Sequence, residues 1–188
     1  MAADALPPLV EAASQLAARL AFAHSCAPAV GRLLRLLAAQ TPMGPVGEIG
    51  TGCGVGAAWI LSGLAPHIPF YTVELDPARA AAAAQLLAPY PNARVLPGDW
   101  QQLLAHGPFR LLFADTKAKE QQPEAVLQAL APRALILLDD LTPEEQWPPE
   151  WRGRPDPVRE FWLKDPRLIA TELRVTAESM VILATRVG

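Results

Sequence analysis

The sequence predicts an α/β fold: a doubly wound, mostly parallel sheet that ends in an antiparallel hairpin, preceded by N-terminal cap helices. Three observations carry this expectation. From Val46 onward, short apolar runs alternate with helical patterns, as in a parallel sheet covered on both faces. The first of those runs enters a glycine-rich turn, the usual ligand-facing junction of such sheets. The last two strand-like runs, 168–175 and 180–185, are joined only by 176–179, too short for a helical crossover and right for a hairpin.

The elements follow in order. Leu9, Ala13, Leu16, Ala17 and Leu20 fall at helical spacing after Pro7-Pro8, and Val30, Leu33, Leu34 and Leu37 form a second stripe after Pro28. Pro42, Gly44 and Pro45 then break the chain. Residues 1–44 are expected to form a helical cap, placed near the mouth of a ligand site, on a main domain of 45–188 within one structural domain. Val46–Ile49 reads as a strand with a helix at 57–64 behind it. A strand at 70–75 leads to Asp76-Pro77, a capping residue followed by Pro at the first helical position. Residues 94–96, 111–114 and 135–138 are further short strands, with helical patterns at 101–105 and 120–130. Thr142-Pro143-Glu144-Glu145 has the form of a capping box and predicts a helix directly after Asp140. Pro148, Pro149, Pro155 and Pro157 mark 147–157 as a loop able to form part of a lid. Asp156-Pro157 starts a last helix whose buried face includes Phe161 and Trp162.

Bulk composition narrows the function. A chain of 188 residues, 51% hydrophobic and 19% charged, suits a single well-buried core. The net charge is −3 and the isoelectric point about 5.6, with Lys and Arg scattered, so no nucleic-acid partner is expected. Cys26 and Cys53 supply neither a disulfide framework nor a zinc spacing. Asp4, Pro7 and Pro8 interrupt any leader-like pattern, and no apolar run reaches membrane-spanning length. A cytoplasmic protein with no membrane partner is expected, and a homodimer is compatible with the sequence.

The strongest local signal is Glu48-Ile49-Gly50-Thr51-Gly52-Cys53-Gly54-Val55-Gly56. Alternate glycines after a strand let the backbone turn tightly and approach a ligand closely. An acidic residue belongs about twenty positions on, at the end of the next strand, where it can accept hydrogen bonds from ribose hydroxyls. Glu74 occupies that place, with Asp76 nearby.

The nine-residue stretch resembles motif I of class I S-adenosylmethionine (SAM)-dependent methyltransferases, and Thr72-Val73-Glu74-Leu75-Asp76 resembles their strand-two motif. From Glu48 to the terminal hairpin the order of elements is similar to the O-methyltransferase branch containing the catechol and caffeoyl-CoA enzymes. The resemblance implies a Rossmann-like methyltransferase fold with seven strands, the last antiparallel, and SAM as cofactor. It implies that Glu48, Gly50, Thr51, Gly52 and Gly54 line the methionine and ribose end. Glu74 would bind the ribose, Asp99 and Trp100 would flank the adenine, and Asp115 would complete the set. Asp99 after Gly98 is equally suited to cap the following helix.

Asp115, Asp139 and Asp140 form a second constellation at the carboxyl ends of two apolar strands, the edge where open α/β sheets bind ligands. The resemblance implies a divalent cation held by these three. Oxygen ligands without Cys or His suit Mg²⁺ or another hard ion, acting as template and Lewis acid on a hydroxylated acceptor. Asp at strand ends also forms turns and caps. Relatives carry a Lys three positions after the first of these Asp residues; here that position is Ala118, flanked by Lys117 and Lys119. Asp115, Asp139 and either lysine are candidates to remove or mask the acceptor proton, and a solvated lysine is the plainer expectation for Lys117 and Lys119. His24-Ser25 precedes the second helix, and Trp147, Trp151 and Trp162 are candidates either for an acceptor pocket or for packing.

The function expected is methyl transfer to oxygen of a small hydroxylated molecule. Gly52-Cys53-Gly54-Val55-Gly56-Ala57 also matches a dinucleotide-binding string, so an NAD(P)-dependent oxidoreductase is the rival enzyme. A non-catalytic SAM-binding protein is the rival of a different class.

Overall fold

The computed structural model describes residues 5–188. Two helices, α1 (Pro8–Arg19) and α2 (Pro28–Ala39), precede the sheet, and each starts with a proline in its first turn, where no N–H is missed. The strands are β1 (Val46–Ile49), β2 (Phe70–Glu74), β3 (Ala93–Pro97), β4 (Phe109–Ala114), β5 (Leu130–Leu141), β6 (Leu168–Arg174) and β7 (Met180–Arg186). Between them lie α3 (Val55–Leu61), α4 (Pro77–Leu87), a 3₁₀ turn at Trp100–His106, α5 (Ala118–Gln121), α6 (Pro123–Gln128) and α7 (Pro157–Lys164).

All seven strands join one sheet in the order β3-β2-β1-β4-β5-β7-β6. The first five pair in parallel, while β7 runs antiparallel to both β5 and β6. Strand order reverses between β1 and β4, so a crevice opens beyond their carboxyl ends. The expected fold, hairpin included, is the observed one.

Each central strand is buried on both faces, and the alternation shows where its side chains go. Leu111 and Phe113 of β4 enter one core cluster, with Trp59, Ile60 and Leu34 from α3 and α2. Leu112 and Ala114 enter the other, with Val126, Leu127 and Trp162 from α6 and α7. The cap helices thus belong to the first cluster, with Val10 and Ala13 of α1 buried in it. Helix α2 comes so close to α3 that a Cβ on Gly31 would lie 2.2 Å from Trp59 Nε1.

Four local expectations are corrected. The pattern at 120–130 is not one helix: Gln122 leaves helical geometry before Pro123, which starts α6, and Leu130 already belongs to β5. The helical pattern at 101–105 is a 3₁₀ turn capped by Asp99. The capping box at Thr142 does not form. Pro143 sits at φ −56°, ψ 139°, only a short 3₁₀ turn (Glu144–Gln146) follows, and Pro148 and Pro149 prevent its extension. Finally, β5 runs through Leu141, so Asp139 and Asp140 lie within its end rather than past it, at a bulge in the pairing with β7.

The loop after β5 is held down by one buried cation. Arg159 of α7 donates to Asp156 Oδ2 (2.6 Å), Glu172 Oε1 (2.8 Å) and the Thr142 carbonyl (2.9 Å), and its guanidinium lies 5.3 Å from the Trp147 ring centroid.

Candidate functional site

A cavity of about 520 Å³ opens at the carboxyl edge of β1, β2 and β4, and the segment between α1 and α2 contributes Phe22, His24, Ser25 and Cys26 to its wall. Its floor is the glycine turn. The Gly50 and Thr51 amides both donate to Val73 O, at 3.1 and 3.0 Å, which fastens the turn to β2. Gly50 has φ +99°, and a Cβ there would lie 2.5 Å from Thr116 Cγ2 and 3.1 Å from Asp115 O. Gly52 has φ +54°, and a Cβ would meet the Phe22 ring at 2.9 Å. Backbone conformation and close approach both demand glycine at these two positions.

Glu48 on β1 is fully buried and lines the cavity. Its Oε2 accepts from Thr72 Oγ1 at 2.5 Å, and with that proton committed, Thr51 Oγ1 donates to Thr72 Oγ1 at 2.5 Å. Among the described residues, Glu48 Oε1 has no partner. Burial, reinforced by the carboxylates of Asp115 and Glu74, pushes the Glu48 carboxyl up to about 8, against the pull of Thr72. Gly56 leaves room for this oxygen, since a Cβ there would lie 2.3 Å from Oε1.

Glu74 closes β2 and is also buried. Its Oε2 accepts from Gly52 N at 2.8 Å. Its Oε1 accepts from Asp76 N at 2.9 Å and from Arg79 Nε and Nη2 at 3.2 and 2.9 Å. At the far end, Asp99 and Trp100 both line the cavity, and Asp99 Oδ1 also accepts from Gln101 N at 2.9 Å, so capping and wall positions coincide. Gln121 and Gln122 face the same end.

The carboxylates beyond β4 and β5 are differently disposed. Asp115 lines the cavity, and burial raises its carboxyl pKa despite the charges of Lys119 and His24. Asp140 also lines the cavity, exposed and left-handed at φ +63°. Asp139 is buried off the cavity wall, accepts from Asp140 N at 2.8 Å, and is pushed up to about 6 by burial and by Asp115. Successive strand residues point to opposite faces. Among the described residues no group of three or more His, Cys, Asp or Glu is arranged to hold a metal ion, so the expected ligand set of Asp115, Asp139 and Asp140 does not converge.

Lys117 is exposed and lines the cavity, as a solvated lysine would. Lys119 is not solvated: it is buried, off the cavity, and its Nζ donates to Thr116 O at 3.2 Å. Gly54, grouped with the cofactor turn in the sequence, caps α3 at φ +86° against Ala83 and Leu86 and is absent from the wall. The second glycine of the dinucleotide string must approach a pyrophosphate, and Gly54 is placed elsewhere. None of the three tryptophans forms the cavity wall. Trp162 is buried and donates to Lys119 O at 2.9 Å, Trp147 donates to Thr142 O at 3.1 Å, and Trp151 is exposed. Sequence reasoning passed over Phe22 and Arg79, and quoted Thr72 within the strand-two motif without giving it a role. Of the two passed over, Arg79 carried a signal, a cation one helical turn beyond Glu74 on a helix that opens beside it.

Comparison with known proteins agrees with this geometry. A family model described as a methyltransferase domain matches residues 48–141, half of the chain. A protein of Mycobacterium tuberculosis (strain H37Rv) named as an O-methyltransferase is 34% identical over 116 residues, covering 57% of this chain and 51% of that protein. One of Mycobacterium ulcerans (strain Agy99) with the same naming is 31% identical over 110 residues, 55% and 49% of the two chains. The chain thus spans about half the length of the curated relatives it matches. Among solved structures, the O-methyltransferase from Bacillus cereus in complex with SAH superposes with a TM-score of 0.82 at 22% identity, covering 98% of this chain and 93% of that one. TomG, an O-methyltransferase from Streptomyces achromogenes in complex with SAM, gives 0.81 at 21% identity over 98% and 92%. These two share the fold. With the matched segment running from Glu48 through the end of β5, the chain belongs to the methyltransferase-domain family.

Proposed function

We propose that the protein is a SAM-dependent O-methyltransferase acting on a small hydroxylated molecule. One observation carries the cofactor reading: Glu48 Oε1 is buried at the cavity wall without a partner among the described residues. An orphaned carboxyl oxygen beside a glycine cradle fits a cationic group on a ligand, and the α-ammonium of the methionine moiety is such a group. Glu48 would hold that ammonium, Gly50, Thr51 and Gly52 would offer backbone to the methionine and ribose, and Glu74 would accept from the sugar. Asp99 and Trp100 would flank the adenine. When bound, SAM supplies a methyl group already activated on a sulfonium leaving group.

The protein's own part is then alignment and proton handling. Asp115 is the more buried of the two carboxylates on the cavity wall at the acceptor end, and we assign it the acceptor's hydroxyl proton. Asp139 sits behind it; burial, with the negative charge of Asp140 added to it, raises the affinity of Asp115 for that proton. Lys119, off the wall, balances both charges, and Lys117 faces the acceptor as a surface cation. The divalent cation expected from the family resemblance is not built into this mechanism, because the three aspartates do not form a ligand set. A small acceptor suits both the limited cavity and the net charge of −3, which disfavours a polyanion.

The test is calorimetric titration with S-adenosylhomocysteine (SAH), followed by an assay of SAH production from SAM across hydroxylated aromatics, with and without Mg²⁺. Saturable SAH binding and acceptor-dependent turnover are expected. Absence of any saturable binding to folded protein would refute the cofactor assignment, and binding without turnover on any acceptor would leave a SAM-binding protein.

A further inference from the structure

The cavity wall contains a closed circuit of four groups, two of which, Arg79 and Phe22, the methyl-transfer reading does not use. Gly52 N donates to Glu74 Oε2 at 2.8 Å, and Glu74 Oε1 accepts from Arg79 Nε and Nη2. The Arg79 guanidinium lies 5.1 Å from the centroid of the Phe22 ring, within cation–π range. The Phe22 ring in turn lies against Gly52, close enough that a Cβ there would touch it at 2.9 Å. Phe22 belongs to the segment joining α1 and α2, whereas Glu74 and Arg79 belong to β2 and α4. The circuit therefore ties the cap to the end of the sheet across the cavity mouth.

The hydrogen bonds on Glu74 are unevenly divided. Oε1 takes three protein N–H groups, while Oε2 takes one. A carboxylate has about four acceptor directions, two on each oxygen, so Oε1 is saturated and Oε2 retains one. A lysine in place of Arg79 would keep the charge but lose the planar fork that makes two bonds at once and stacks on a ring.

We infer that Arg79 is a positioning residue for the nucleoside: it holds Glu74 with only Oε2 available to a sugar hydroxyl, and it fastens the 20–27 segment over the glycine turn through Phe22. The nucleoside half of this inference rests on the SAM reading above; the fastening of the segment does not. Phe22 N donates to Ala17 O at 2.9 Å, so its amide reports loosening by hydrogen exchange.

The experiment uses the full chain and five forms: wild type, Arg79→Gln, Arg79→Lys, Phe22→Leu and the double variant Arg79→Gln with Phe22→Leu. Backbone exchange across 20–27 is measured without ligand, and SAH affinity by calorimetry, with thermal melting as a check on folding. In ligand-free protein, exchange at Phe22 should rise about tenfold in Arg79→Gln and in Phe22→Leu. SAH should bind roughly tenfold more weakly to Arg79→Gln and about threefold more weakly to Phe22→Leu, with Arg79→Lys between wild type and Arg79→Gln. The double variant should bind no worse than Arg79→Gln alone, because both changes open one circuit. Unchanged exchange at 20–27 in ligand-free Arg79→Gln overturns the fastening, and unchanged or tighter SAH binding by Arg79→Gln overturns the positioning of Glu74. If wild type itself does not bind SAH, the SAM reading and the positioning of the nucleoside fail together, and the fastening is decided by the exchange data alone.

Discussion

The two ends of the cavity are built by different means. At the β1–β2 end the working groups are buried and interlocked: Thr51, Thr72 and Glu48 form a hydrogen-bonded chain, and Glu74 is held by Gly52, Asp76 and Arg79. At the β4–β5 end, Asp115 and Asp140 stand on the wall with few protein partners, and Asp139 lies behind them at a bulge. The first end is rigid because its polar atoms are out of water and must satisfy one another. The second is supported from a distance, through the loop that Arg159 anchors. On the proposed function, that division gives a constant donor end beside a more adjustable acceptor end.

The sharpest way to break the comparison is to remove the anchor. Arg159→Ala leaves the carboxylates of Asp156 and Glu172 without their cation, and the loss of a largely buried partner of this kind costs about 3 kcal/mol. Denaturant unfolding should show that loss, and limited proteolysis should find new cleavage in 142–156. SAH affinity should stay within about twofold, since no link of the donor end passes through Arg159. A large drop in SAH affinity would mean that the two ends share one support.

Next in size is the exchange of carboxylates between ends. Glu74→Ala removes the sugar acceptor and strands the Gly52 and Asp76 amides and Arg79, an effect of about 2–3 kcal/mol or roughly a hundredfold in SAH affinity by calorimetry. Asp115→Asn should reverse the pattern: SAH affinity within about threefold of wild type, and SAH production from SAM lowered at least a hundredfold or so. If Asp115→Asn lost SAH affinity as Glu74→Ala does, Asp115 would belong to the donor end and its role as proton acceptor would fall.

The pH dependence separates the ends by different windows. Both Glu48 and Asp139 have carboxyls raised by burial, to about 8 and about 6. In each case the folded protein holds its proton more tightly than the unfolded chain, so the stabilising contribution is complete at low pH and is lost as pH rises toward the folded value. The Asp139 part is spent by about pH 7, leaving the slope between pH 7 and 8 to Glu48. Glu48→Gln should flatten that slope and be the more stable protein at pH 8 by about 1–2 kcal/mol in denaturant titrations. Binding an ammonium requires the ionised form, so wild-type SAH affinity should increase about tenfold or more from pH 6 to 8, while the Gln variant binds weakly and without that rise. An affinity independent of pH in wild type would separate Glu48 from the ammonium.

The same division governs what could be read from the sequence. β1, the glycine turn and Glu74 were legible because each depends on local rules: a buried strand, a backbone needing φ > 0, and an acid at the next strand's end. The hairpin of β6 and β7 was legible from a connection too short for anything else. The acceptor end was not. The bulge between Leu138 and Leu141 contains no Gly or Pro to announce it, and it decides that Asp139 is buried while Asp140 is not. Lys119 reads as a surface residue, yet its tip reaches Thr116 O and its carbonyl takes the Trp162 indole from a helix 43 residues away. The capping-box pattern at Thr142 lost to a tertiary demand, because the Thr142 carbonyl serves Arg159 and Trp147 while Pro143 holds the chain extended. Phe22 was invisible for a similar reason: its partner Arg79 lies 57 residues further on, and only the folded sheet brings the two together.

The smallest expected effect tests whether Asp140 belongs to either end. It is exposed, with φ +63°, a conformation that glycine adopts without a Cβ penalty. Asp140→Gly relieves that conformation but gives the unfolded chain more freedom, and the two effects nearly cancel, leaving stability within about 1 kcal/mol of wild type in denaturant unfolding. SAH affinity should be unchanged, because no donor-end hydrogen bond involves its side chain. The expected change is confined to the acceptor, read as a raised KM with the turnover rate held, since an exposed wall carboxylate contributes to binding the acceptor and not to moving its proton. A fall in the turnover rate at saturating acceptor would instead place Asp140 beside Asp115 in handling the proton, and the acceptor end would then be a coupled pair of carboxylates rather than one base with a neighbour behind it.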